Sequence, residues 1–406
     1  MTAPVVFTGR GVVSPAGCGV NAFWDALLAA RSAAAPIDRF DATRHRVRIG
    51  CQVPSLEAPN GVDSKAFRRS DLFTQYALSA AREAIDDAGI GAMRGSRVGI
   101  VVGNAVGGRT TSDKESVKFA ERGAGGVSPL MPLLTMPNAA AANIAMSFGW
   151  TGPAYTVATT CASGLDALGL ARALLRADVV DVVLAGGCEA TISPVTIAAF
   201  GTLDALSTRN DAPAAACRPF DVDRDGFVMG EGAAFVVLER EADAISRGAT
   251  VHGRLLGYAA TSDAHHLTAP HPQSLGAIDA MRGALRDAGC ATTDIGHVNA
   301  HGTSTKLNDA AEARALRGVF GDAAVPPVTA TKGVTGHMLG ASGTAEVIAS
   351  LSALAAGRVP PVANHATTDA ELGLDVVHDT PRQVRRAPVL SNSFGFGGHN
   401  ASVVVG

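Results

Sequence analysis

Two hydrophobic rhythms alternate along the chain. In one, apolar residues recur every three or four positions and the run closes on a glycine or another small residue, the pattern of a helix with one buried face. That spacing predicts helices over 72–89, 163–177, 275–289 and 308–319. In the other, short β-branched or apolar runs carry little polar interruption, as buried strands of a parallel sheet do. They predict strands over 98–102, 179–185, 233–238, 295–298, 389–391 and 402–405. Strands alternating with helices point to a layered α/β fold.

The pattern also repeats. Arg82-Glu83-Ala84-Ile85-Asp86-Asp87-Ala88-Gly89 returns 200 residues later as Arg282-Gly283-Ala284-Leu285-Arg286-Asp287-Ala288-Gly289, and each copy leads into a predicted strand. A second pair is Thr156 to Cys161 and Pro327 to Lys332, each running into a small-residue helix. Chance similarity between alanine-rich helices is the rival explanation. Two related α/β halves, 1–249 and 250–406, fit better. No Pro/Ser-rich linker separates them, so they are expected to pack face to face.

Composition narrows the functional classes. Of 406 residues, 47% are hydrophobic and 17% charged, which excludes a disordered chain and a small disulfide scaffold. The net charge of −3 supplies no bulk cationic field for nucleic acid or an anionic membrane. With 46 glycines and only 5% aromatics, elements are expected to approach closely. The N-terminus shows no signal-peptide pattern, and no run is read as transmembrane. Cys18, Cys51, Cys161, Cys188, Cys217 and Cys290 lack the spacing of a metal site or a disulfide framework, so a reducing, cytoplasmic location is expected.

Chemistry concentrates at a few strand ends. Cys161 follows a Thr-rich extended segment and opens a helix, where free N–H groups and the helix dipole favour a thiolate. A buried structural cysteine is the alternative, and Cys188 competes on local grounds. His301, in His301-Gly302-Thr303-Ser304-Thr305, follows a strand, and His337 sits in a glycine-punctuated turn after Lys332. In open α/β sheets such strand ends are where ligands bind. Lys332 is one of only five lysines. Two apparent motifs fail: Asp221-Val222-Asp223-Arg224-Asp225-Gly226 opens like a calcium loop, but its twelfth position is Gly232 instead of glutamate. Gly103 to Gly108 lacks the dinucleotide spacing.

Taken together, these residues resemble the β-ketoacyl-acyl carrier protein synthases, the elongating type II condensing enzymes of fatty-acid and polyketide synthesis in the thiolase superfamily. The likeness runs through Gly9-Arg10-Gly11-Val12-Val13-Ser14-Pro15, Thr159-Thr160-Cys161-Ala162-Ser163-Gly164, Arg218-Pro219-Phe220-Asp221, Gly230-Glu231-Gly232 and the His301 and Lys332–His337 motifs. It ends at Asn392-Ser393-Phe394-Gly395-Phe396-Gly397-Gly398-His399-Asn400. The resemblance implies the thiolase fold, two duplicated halves in a five-layer α-β-α-β-α arrangement. It implies an acyl group carried on Cys161 and condensed with decarboxylating malonyl-acyl carrier protein to give a 3-oxoacyl product. His301 and His337 would then serve the malonyl thioester oxygen, and Lys332 would organise the site in an ion pair with Glu312, beside Asp309 on the same helix face. Phe396 would gate the nucleophile, its N–H joining that of Cys161 in an oxyanion hole.

The same resemblance assigns Thr303 and Thr305 to the pantetheine arm and Val106, Met131, Thr160 and Phe200 to the acyl pocket. Lys65, Arg68 and Arg69 would dock the acyl carrier protein; a solvated helix face is the plainer reading. No tightly bound cofactor or metal is implied, the phosphopantetheine arm arriving with the carrier. A homodimer is expected, or a heterodimer with a chain-length subunit. Thr160, where many relatives have Ala, Asp204, where fatty-acid enzymes often have Arg, and Lys306, where they commonly have Pro, are departures that leave a specialised polyketide or polyene role open. The rival activities are a coenzyme A-dependent thiolase, for which the C-terminal loop lacks a second cysteine, and a non-catalytic chain-length or carrier-binding subunit.

Overall fold

A computed structural model describes residues 3–322 and 324–406. Met1 and Thr2, where the reading of the N-terminus begins, lie outside the described residues. Ten strands form the path of the main sheet: β1 (Val5–Ser14), β2 (Val98–Gly103), β3 (Ala154–Val157), β4 (Val182–Glu189), β5 (Gly232–Arg240), β6 (Gly253–Ser262), β7 (His297–Asn299), β8 (Val328–Thr329), β9 (Val389–Gly395) and β10 (His399–Val405). Their spatial order is β8-β7-β9-β10-β6-β1-β5-β4-β2-β3. Outward from the centre, the first five strands run 1-5-4-2-3 and the last five 6-10-9-7-8, which is the same order. Pair directions match as well: antiparallel, antiparallel, parallel, parallel in each set. Among the described residues the strand pairing between the two sets is Val6 with Arg254 and Phe7 with Gly253.

Five helices complete the layers: α1 (Leu72–Ala88), α2 (Ser163–Arg176), α3 (Leu275–Ala288), α4 (Lys306–Phe320) and α5 (Ser342–Ala356). The helices α2 and α5 pack on each other and against both sets of strands, so they form the central layer. Outside, α1 covers β1, β5 and β4, while α3 covers β6 and β10 with α4 beside it. That is the five-layer thiolase arrangement. Enclosure explains the composition of α5. The 18-residue segment Leu339–Ala356 is long and apolar enough to cross a bilayer, contrary to the expectation from sequence, but 83% of it is buried between the layers.

The repeated motif has the same job in both halves. A Cβ on Gly9 of β1 would lie 2.2 Å from the Ala84 carbonyl, and one on Gly257 of β6 would lie 2.1 Å from that of Ala284. The next residue's N–H then reaches an aspartate, Arg10 to Asp87 and Tyr258 to Asp287, each at 2.9 Å. The glycines let helix backbones touch the strands, and the aspartates lock the contact. Elements otherwise start within three residues of expectation; β4 begins at Val182 instead of 179 because α2 ends in a turn with Asp178 at φ +55° and Val179 exposed. Gly9→Ala and Gly257→Ala should each destabilise the protein by about 2 kcal/mol or more in urea unfolding. Gly89→Ala, at φ +67° with open space around it, should cost only about 1 kcal/mol.

Candidate active site

Cys161 is presented by a sharp strand-to-helix elbow. After β3 the chain passes through Thr159 into the turn Thr160–Ala162 and then α2. Thr160 is held at φ +51°, an uncommon conformation for a β-branched residue. Its hydroxyl donates to the Phe396 carbonyl at 2.9 Å, while the Ser163 hydroxyl accepts from Thr159 N and donates to Thr160 O. The Phe394–Gly398 loop can lie on this elbow because residue 395 is glycine: a Cβ there would sit 2.2 Å from Thr160 Oγ1.

Cys161, His301 and His337 converge at the elbow, all buried, with Sγ and one nitrogen of each ring within 4.8 Å of one another. His337 Nε2 lies 3.1 Å from Sγ. Lys332, with no side-chain exposure, directs its ammonium to three acceptors: His301 Nδ1 at 3.3 Å, the His301 carbonyl at 2.6 Å and Glu346 Oε1 at 2.5 Å. This corrects the expected pairing with Glu312. The Glu312 oxygens are filled by the N–H groups of His301 and Gly302, each at 2.8 Å, so Glu312 fixes the backbone under His301 instead. Asp309 is turned away as well, accepting from Phe220 N and Ser304 N and facing Arg224.

Outer contacts determine which ring nitrogens carry protons. The Lys332 ammonium can only donate, so His301 Nδ1 accepts and the proton sits on Nε2. At His337, Nδ1 accepts the Leu339 N–H at 3.3 Å and lies 3.2 Å from Ser342 Oγ, again placing the proton on Nε2. Burial, reinforced by the Lys332 charge, holds both imidazoles well below their usual pKa and therefore neutral. Two neutral Nε2–H donors thus face Cys161 Sγ. The three atoms could in other tautomers suit a thiophilic cation, but a metal needs the Nε2 lone pairs, and His301 Nδ1–H would then point at an ammonium.

Burial also overrides the helix dipole. It pushes the Cys161 thiol up to about 11, with Lys332 and the N–H groups of Phe396 and Cys161 itself pulling the other way. The resting sulfur is a thiol, a correction to the thiolate expected from its helix-start position. Cys188, the competing candidate, is buried in β4 with its thiol pushed well above the ordinary range and lies outside the cavity.

A cavity of about 310 Å³ opens onto this centre, lined by Cys161, His301, His337, Thr303, Thr305, Phe200 and Phe396 among others. The Phe200 and Phe396 rings stack 6.3 Å apart, and Phe227 stands edge-on to His337 at 5.2 Å. Thr305 also caps α4, its hydroxyl accepting from Asn308 N. Val106, Met131 and Thr160 do not line the cavity. Lys306 and Asp204 stand at its mouth, Asp204 paired with exposed Arg46. Lys65, Arg68 and Arg69 are exposed on the short helix Ser64–Arg69, outside the cavity. Asp221 in the calcium-like loop is occupied by backbone N–H groups and Arg218, which hold it near 2. Sequence reasoning missed Glu346, although it is the lone charge in the apolar stretch 339–357.

Known proteins resemble the chain along most of its length. Residues 2–244 match the family model "Beta-ketoacyl synthase, N-terminal domain" and residues 252–366 the model "Beta-ketoacyl synthase, C-terminal domain". The chain is 39% identical over 402 residues to a 3-oxoacyl-[acyl-carrier-protein] synthase 2 of Synechocystis sp., covering 98% of this chain and 97% of that protein. The ishigamide ketosynthase/chain length factor structure superposes with a TM-score of 0.93 at 34% identity, covering 100% and 99% of the two chains. A ketosynthase in complex with its type II PKS acyl-carrier protein, bound to the hexaketide, gives 0.92 at 29% identity and the same coverage.

If burial sets the thiol, iodoacetamide alkylation followed on the Cys161 peptide should keep accelerating up to pH 11, past the ordinary thiol range of about 8.5. Lys332→Met should move the profile higher still, because the ammonium favours the thiolate. A plateau below pH 9 would show the elbow's N–H groups prevailing.

Proposed function

The chain belongs to the β-ketoacyl synthase family, and from that premise we propose that it catalyses decarboxylative Claisen condensation between an acyl group on Cys161 and malonyl-acyl carrier protein. The observation that carries this reading is the convergence of Cys161 Sγ with one ring nitrogen each of His301 and His337 in one buried cavity. An acyl-transfer nucleophile and a site for developing negative charge are what this two-stage reaction needs.

In the first stage Cys161 Sγ attacks the acyl thioester on the carrier's phosphopantetheine arm. The sulfur–acyl bond forms at Cys161, the carrier thiolate leaves, and the proton given up by the Cys161 thiol ends on that leaving sulfur. The N–H groups of Cys161 and Phe396, directed at this point, receive the tetrahedral oxyanion. In the second stage malonyl carrier protein enters. Its carboxylate departs as carbon dioxide, and the electron pair becomes an enolate whose oxygen accepts from His301 and His337. Because neither ring is charged, each donates without competing for the proton. The enolate carbon attacks the acyl-Cys161 carbonyl, the carbon–sulfur bond breaks, and the Cys161 thiolate takes up from solvent the one proton that the overall condensation consumes. The product is a 3-oxoacyl carrier protein two carbons longer.

Lys332, as we read it, holds the His301 tautomer, and Thr303 and Thr305 contact the pantetheine arm along the cavity. Phe396 gates Cys161, and Phe200 bounds the acyl end; Val106, Met131 and Thr160 have no such support from the cavity lining. The exposed cations Lys65, Arg68 and Arg69 suit an acidic acyl carrier protein. We read 1–249 and 250–406 as the two halves. The free edge of β3 with exposed Tyr155, near an apolar surface that includes Met146, Leu133 and Met136, supports a homodimer, with a chain-length homologue as the alternative mate. All six cysteines are free, which suits a cytoplasmic setting.

Mass spectrometry of the protein incubated with acyl carrier proteins should place the acyl group on Cys161, and Cys161→Ala should lose both the adduct and elongation. Elongation at the parent rate by Cys161→Ala would refute the assignment. Sizing the purified chain should give a dimer; a monomer that pairs only with a homologue would favour the heterodimer.

A further inference from the structure

Asp166 takes no part in the steps above, yet it is the only acidic residue of α2 and stands in its first turn, five residues after the nucleophile. Its buried carboxylate is gripped from two directions. Thr159 Oγ1, in the elbow itself, donates to Oδ2 at 2.5 Å, and Tyr258 Oη donates to Oδ1 at 2.8 Å. Tyr258 belongs to the other half of the molecule. It lies on β6, paired with Val403 of β10, and its N–H is held by Asp287 of α3. Its ring rests on the backbone of α2: a Cβ at Gly169 would come within 2.3 Å of it.

We propose that Asp166 is a positioning residue for the condensation, clamping the Cys161 elbow to the second half of the molecule through Thr159 and Tyr258. The elbow needs such a clamp. Thr160 is strained at φ +51°, and Thr159 fixes the approach to it. Both the His337 contact and the Phe396 N–H come from the second half, so their aim at Sγ depends on how the elbow is registered against that half. Two charge-assisted hydroxyl bonds to one buried carboxylate supply that registry. The role rests on the condensing-enzyme reading, but its geometry can be measured without a natural substrate.

The test uses the full chain with Tyr258→Phe, Thr159→Val, Thr159→Ser and Asp166→Ala. Single-turnover acylation of Cys161 and the pH profile of its alkylation by iodoacetamide are measured alongside the melting temperature. Tyr258→Phe and Thr159→Val should each slow acylation about tenfold at unchanged half-saturating donor concentration, and shift the alkylation profile. Thr159→Ser, which keeps the hydroxyl, should restore the parent rate. In an Asp166→Ala background Tyr258→Phe should cause no further loss, because both hydroxyls act through the same carboxylate. A Tyr258→Phe protein with a lowered melting temperature but parent acylation and alkylation profiles would overturn the proposal, as would fully multiplicative losses in the double variant. If no donor acylates the parent protein, the condensing reading fails; a shifted alkylation profile in Tyr258→Phe and Thr159→Val would still uphold the clamp.

Discussion

The proposed catalytic centre depends on one buried cation. An ammonium without water is tolerated only when every donor is matched and a counter-charge is close, and Lys332 meets both conditions with Glu346, the His301 carbonyl and His301 Nδ1. The consequence is chemical as well as structural. Because Lys332 occupies Nδ1, His301 presents Nε2–H to the cavity; burial keeps His301 and His337 neutral, and the Lys332 charge reinforces it. The same charge draws the Cys161 thiol downward against burial. Burial and one ion pair together therefore govern the protonation of Cys161, His301 and His337.

Duplication explains how such a site arises from so few elements. Both halves follow the same strand order, and in each the last strand of the set leads through a turn into a central-layer helix. In the first half that turn is Thr160–Ala162 and carries Cys161 directly before α2; its counterpart directly before α5 is Leu339–Ala341, with Gly340 in the place of Cys161 and Leu339 at φ +43° matching Thr160 at +51°, so the match expected between Cys161 and Lys332 does not hold. Packing α2 against α5 brings the two turns together at the middle of the molecule. The counterpart of Cys161 is thus a glycine, and the longer segment between β8 and its turn, which carries Lys332 and His337, has no equivalent after β3, so a symmetric scaffold becomes chemically asymmetric.

Much of this was legible in sequence because it is local. Periodicity located the helices, and the repeat of Arg82 to Gly89 at 282–289 disclosed the duplication; the structure adds that Gly9 and Gly257 serve as its matched contact points. Cys161, His301, His337 and Lys332 were all recognisable at strand ends. What escaped depended on distance. Glu312 looked like the partner of Lys332 because it shares a helix with Asp309 near the histidine motif, yet two backbone N–H groups use its oxygens. Glu346 does the pairing from a different helix, and only the packing of the layers reveals it. The thiolate expectation failed for a related reason: a helix start is visible in sequence, whereas complete burial of the sulfur is not.

The balance between those last two effects bears on how the reaction is ordered. In the proposed sequence Cys161 is acylated before malonyl carrier protein enters, so the sulfur carries no charge when the malonyl carboxylate arrives, and the like-charge repulsion that a dry cavity would magnify is avoided. The neutral histidines then face only the negative charge generated by loss of carbon dioxide. Burial costs the nucleophile reactivity at rest, but it reserves the cavity's electrostatic response for the step in which charge develops, where preorganised donors lower the barrier most.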